Sequence, residues 1–194
     1  MNITTAKPTQ ASQIAKLIME AMNHECCQYF AGEHHTLADF HRVLTELVRA
    51  DNSQYSYRNA LVALTADEKV AGVCVSYDGA CLIELRKAFL KACKENFNQD
   101  FSDMPEETSA GELYIDSIAV DEGYRGQGLA KQLLQATIDK ARDMNINSVG
   151  LLVDKGNPQA EQLYHAVGFR YENDNMWGGH PMKHLVYTIA SVRE

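Results

Sequence analysis

The chain has no surplus of positive charge, no paired cysteine spacing and no long apolar run, and each absence narrows what it does. Lysine and arginine total 18 against 26 aspartates and glutamates, a formal net charge of -8. General nucleic-acid binders carry basic fields that follow the phosphates, so that class is disfavoured and an amine-bearing partner is favoured. The five cysteines, Cys26, Cys27, Cys74, Cys81 and Cys93, form no C-x-x-C pair. Odd in number, they point to reduced, buried thiols rather than a disulfide framework or a zinc site. His24, His34, His35, His41, His165, His180 and His184 keep no regular ligand spacing, so no metal is expected. No apolar stretch approaches the roughly 20 residues of a membrane span. The opening "MNITTAKPTQ" lacks the apolar core of a signal peptide. The expected address is the cytoplasm, with neither membrane nor nucleic acid as a partner. There is no internal repeat and no low-complexity segment.

What is present reads as one ordinary globular domain over residues 1–194, 45% hydrophobic and 23% charged. Ile14, Leu17, Ile18, Ala21 and Met22 share one face of a helix, and Thr36 caps a second with Leu37, Phe40, Leu44, Leu47 and Val48 as its stripe. "ALVALTADEKVAGVCVSYDG" reads as two strands joined by a tight turn. Helical spacing returns unexpectedly over Leu82 to Phe97, followed by the acidic loop "NQDFSDMPEETSAG". "ELYIDSIAV" and "SVGLLVD" are further strands, with an amphipathic helix from Ala130 to Ala141 between them. "GNPQAEQLYHAVGF" carries its own helix signals: Asn157 at the N-cap, Pro158 in the first turn and Gly168 just past the end. Two closing strands, around Phe169 to Glu172 and His184 to Ile189, flank the loop "MWGGHP". The expectation is an α/β fold of six or seven strands and four or five helices.

The densest chemical signal is "VDEGYRGQGLAKQLL", Val120 to Leu134. A strand ending in a glycine-rich turn that opens a helix aims several backbone N–H groups at one point, where the positive end of the helix dipole adds to them. A Walker loop is disfavoured, because no Lys-Ser or Lys-Thr follows Gly128. A dinucleotide fingerprint is disfavoured too, because Gly126 and Gly128 are followed by lysine at position 131. "RGQGLA", Arg125 to Ala130, instead resembles the pyrophosphate loop of the GNAT superfamily of acetyl-CoA-dependent N-acetyltransferases through Arg125, Gly128 and Ala130. Asn157, Ala160, Leu163, Tyr164, Gly168 and Phe169 match a second segment of that family, in the right order and at a fitting distance. The resemblance covers Glu112 to about Tyr171.

The resemblance implies a three-layer fold with a mixed, mostly antiparallel sheet, and acetyl-CoA held between two splayed central strands. It implies that the backbone of Ile118, Ala119 and Val120 meets the pantetheine arm. Arg125, Gly126, Gln127, Gly128, Leu129 and Ala130 would hold the pyrophosphate, with Asn157 at the pantetheine or an ordered water and Tyr164 facing the CoA sulfur. Tyr164 is then the general acid for the leaving thiolate. Glu112 and Asp116, alternating with Tyr114 on one strand face, are the candidate bases. The implied activity is acetyl transfer to a primary amine by direct attack, possible partners being an amine acceptor and a second copy of the chain. The alternative is a silent CoA-binding module. The chain departs from the family's usual short third-to-fourth-strand hairpin. Residues 80–111 form an insertion, and its helix and acidic residues Asp100, Asp103, Glu106 and Glu107 are expected to shape the acceptor site.

Overall fold

The computed structural model describes residues 1–190; residues 191–194 of the expected domain lie outside it. In chain order the elements are β1 (Asn2–Thr5), α1 (Ala11–Met22), α2 (His24–Ala31), α3 (Leu37–Arg49), β2 (Ala60–Leu64), β3 (Val70–Asp78), α4 (Leu82–Phe97), β4 (Leu113–Val120), α5 (Leu129–Asp143), β5 (Ser148–Asp154), α6 (Pro158–Val167), β6 (Arg170–Trp177) and β7 (His180–Thr188). The seven strands form one sheet in the order β1-β2-β3-β4-β5-β7-β6. Every neighbouring pair is antiparallel except β4 and β5.

Two apolar layers cover the sheet. On one face Ile14 and Ile18 of α1, Phe30 of α2, Phe40 and Leu44 of α3 and Phe89 of α4 bury Val62, Val73 and Val75. On the other, Leu133, Leu134 and Ile138 of α5 bury Cys74, Leu113, Ile115 and Val149. The result is the three-layer α/β arrangement expected from the sequence, with helices covering both faces.

Three local expectations are corrected. The described residues hold six α-helices, because α2 exists where no helix was expected. Asn23 explains the break: at φ 66° it ends α1, and its side chain accepts from Cys26 N (2.8 Å) to cap α2. Glu112 lies one residue outside its strand. The last two strands are longer than the apolar pattern suggests, and "MWGGHP" is no open loop, since Trp177 pairs with His180 across Gly178 and Gly179. Both turn glycines have positive φ, which a tight hairpin demands.

The insertion is part of the core. Phe89, Cys93 and Phe97 of α4 are almost fully buried, and Phe89 meets Phe30 edge-on at 5.0 Å. Glu107 does not join the acidic surface of the loop. It forms a buried ion pair with Arg86, whose Nη1 also donates to the carbonyls of Met104 (3.1 Å) and Pro105 (2.9 Å). A charge this deep needs such partners, and the pair fastens the loop after α4 to that helix.

Candidate active site

β4 and β5 lie side by side only at their first residues. Leu113, Tyr114 and Ile115 pair with Val149, Gly150 and Leu151, and the pairing then stops while both strands continue. From Asp116 to Val120, β4 has β3 on one side and no strand on the other. Asp121 N–H reaches Ala71 O on β3 (2.9 Å). Peptide groups alternate sides along a strand, so those of Val120 and Ile118 point into the opening. The Val120 carbonyl accepts from Arg125 Nε there (3.0 Å). The side chains of Ile118 and Val120 pack on the α5 side with Leu113 and Ile115, while Ala119 packs on the opposite layer.

Asp116 sits at a β-bulge. Val75 pairs with Ser117 and Ser76 with Ile115, which leaves Asp116 as the extra residue. It is half-buried and accepts three hydrogen bonds, from Ser117 Oγ (2.8 Å), Gln54 Nε2 (3.0 Å) and Tyr77 OH (3.1 Å). Burial pushes its carboxyl above the ordinary aspartate range, against the opposing pull of those donors. Glu112 lies at the closed end. Its buried carboxylate accepts from Thr108 Oγ1 (2.5 Å) and is bonded to His184 Nε2 (2.9 Å). It also fills the space where a Cβ on Gly150 would stand, so any larger residue at position 150 would displace the Glu112 carboxylate from its place.

At the open end, Gly126 (φ 75°) and Gly128 (φ 76°) turn the chain into α5. No side chain caps that helix and its first turn holds no acidic residue. The amides from Gly126 to Lys131 find no acceptor among the described residues. A Cβ at Gly126 or Gly128 would meet nothing within 4 Å, so the loop borders open space. Such a set of donors at a helix start fits a pyrophosphate. Arg125 contributes less directly, because its guanidinium turns back to Val120 O and to Glu20 of α1 (3.4 Å). Gln127 is exposed, Leu129 is buried and Ala130 is half-buried. Asn157 caps α6 by accepting from Ala160 N (3.1 Å). Tyr164 of α6 is 8% exposed against Phe169, and burial raises its phenol pKa, so it stays protonated at neutral pH.

A model described as "Acetyltransferase (GNAT) family" matches residues 19–169. The chain belongs to the GNAT family. It is 36% identical over 63 residues to a [ribosomal protein bS18]-alanine N-acetyltransferase of Haemophilus ducreyi, covering 32% of this chain and 43% of that protein. It is 28% identical over 80 residues to a spermine/spermidine N(1)-acetyltransferase of Bacillus subtilis, covering 41% of this chain and 53% of that protein. The chain thus spans about half, or less, of the curated relatives it matches. In fold it is similar to an N-acetyltransferase from Staphylococcus aureus Mu50, with a TM-score of 0.79, 26% identity, and coverage of 96% of this chain and 100% of that one.

Within this GNAT chain several site residues carried no sequence signal. Gln54 reaches Asp116 from a loop 62 residues away, and Tyr77 comes from β3. His184 meets Glu112 only because β7 lies beside β5. The bulge did leave a trace. Apolar positions run 113, 115, then 118, 120, a shift of phase at Asp116. His180 is exposed, with Nδ1 3.8 Å from Asp154, and no group of potential metal ligands occurs among the described residues.

Proposed function

We propose that this GNAT chain is an N-acetyltransferase that moves an acetyl group from acetyl-CoA to a primary amine by direct attack in a ternary complex. The observation that carries the reading is the opening between β4 and β5 beside the uncapped start of α5. Together they offer an unpaired strand edge for an extended amide-bearing arm and free N–H groups for a pyrophosphate. The thioester of acetyl-CoA supplies the activated acyl group. The remaining work falls to side chains of this chain.

Asp116 is the better base of the two carboxylates. Both carboxylates have hydrogen-bond partners, but Glu112 is buried at the closed end over Gly150, whereas Asp116 is half-buried where β4 parts from β5, with a raised pKa that strengthens it as a proton acceptor. The amine nitrogen bonds to the acetyl carbon, the carbon–sulfur bond breaks, Asp116 takes the proton shed by nitrogen, and Tyr164 OH protonates the departing thiolate. The test is thiol release from acetyl-CoA across a panel of amines. Tyr164→Phe should lower kcat by about tenfold or more while the apparent affinity for acetyl-CoA changes little. An unchanged kcat removes Tyr164 as the acid, and a panel with no thiol release overturns the reading.

A further inference from the structure

We propose that the groove between α2, the loop after α4 and the β6–β7 turn holds the non-reacting end of a small diamine or polyamine: an apolar spacer carrying a second ammonium. The inference rests on the acetyltransferase reading and adds the acceptor's chemical class.

The groove measures about 340 Å³, within the range of small-molecule sites. Its walls are aromatic and apolar, with Tyr29 and Phe30 on one side, Phe101 and Met104 on another, and Trp177 from the turn. Phe101 stands 5.3 Å from Tyr29 and 5.0 Å from Phe30, and Trp177 stands 6.2 Å from Phe30, so several ring faces border one space. The charged residues of the lining are both acidic, Asp100 and Asp103. Asp100 already holds Lys94 (3.2 Å) and the amide of Ser102 (3.0 Å). Asp103 is exposed and makes no ion pair or hydrogen bond among the described residues.

A neutral apolar acceptor would use the rings and gain nothing from Asp103. An anionic one would be repelled. An ammonium gains both the carboxylate and the ring faces, whose π clouds attract cations. Its methylenes then lie along Met104 and the aromatic walls. The groove also opens on the base's side of the sheet. Phe30 of its wall and Tyr55 belong to the same apolar layer, and Tyr55 follows Gln54, whose Nε2 donates to Asp116 (3.0 Å). On this proposal one nitrogen sits in the groove while the other approaches Asp116.

The experiment compares hexylamine with 1,6-diaminohexane, which differ by a single terminal amine, in thiol release from acetyl-CoA by the full chain. The expected kcat/KM for the diamine is at least tenfold higher, and the ratio should fall to near one in Asp103→Asn. Tyr29→Ala, a change at a 62% exposed ring, should lower kcat/KM for the diamine several-fold without unfolding the protein. A ratio near one in the wild type, or one that Asp103→Asn leaves intact, overturns the proposal. So does a free-N-terminal peptide that outcompetes the diamine by tenfold or more. If no amine releases thiol, the acetyltransferase reading fails by itself. Calorimetry of 1,6-diaminohexane with the CoA-bound chain then decides the groove: binding lost in Asp103→Asn supports it, and no binding overturns it.

Discussion

At its first residues β4 lies between β3 and β5, its side chains sealed and its leading carboxylate, Glu112, wedged over Gly150. At its last residues only β3 remains beside it, the peptide groups of Ile118 and Val120 face an opening, and Asp116 is half-buried. Two acidic residues four positions apart thus have opposite surroundings. The closed end uses its carboxylate to hold β4, β5 and β7 together. The open end leaves the other half-buried, the carboxylate to which the proposed function gives the role of base. The bulge at Asp116 marks the change between the two, since it is there that β4 bends out of register with β3.

The contrast breaks most sharply at Gly150. Gly150→Val would drive a side chain into the Glu112 carboxylate and separate it from Thr108 and His184. The expected loss is about 3–5 kcal/mol, read as a shift of the urea midpoint. A variant as stable as the parent would show that the closed end is not closed by Glu112.

The second test concerns chemistry at the open end. Asp116→Asn should lower kcat/KM by about a hundredfold. In the parent chain the proposed base must be deprotonated to work, so activity should be present above the pKa of Asp116 and fall as pH drops through it. Because burial raises that pKa, the acid limb should lie above the ordinary aspartate value of 3.8. Asp116→Asn should abolish that limb, and a limb that persists in the variant would transfer the role to another group.

The smallest effect sharpens the comparison from the other side. Glu112→Gln keeps the shape but removes the charge beside His184. It should cost about 1–3 kcal/mol of stability while kcat of the folded enzyme stays within a few-fold of the parent. A hundredfold drop in kcat with stability intact would exchange the roles of the two carboxylates.

How much of this was legible in the sequence follows from how local each feature is. The loop from Arg125 to Ala130 and the Asn157 cap are written in backbone punctuation, glycine and asparagine at fixed offsets, and the structure carries both as helix starts. The α3 cap at Thr36 is equally local. α2 escaped notice because only Cys27, Phe30 and Ala31 of its eight residues are buried, too few to show a period. The length of β6 was hidden because nearly all its residues are exposed, so it shows no apolar alternation. The Asp116 network was hidden because Gln54 and Tyr77 reach it only through tertiary packing.

Trp177 gives the molecule its own optical reporter. It is the single tryptophan of the chain, and it stands in the wall of the groove rather than beside the uncapped helix start. Indole emission depends on how wet its surroundings are. A ligand that displaces water from the groove should therefore change the fluorescence, while one bound only at the start of α5 should leave the spectrum nearly as it was. Titrations could then be followed on the native chain, with no label and no turnover.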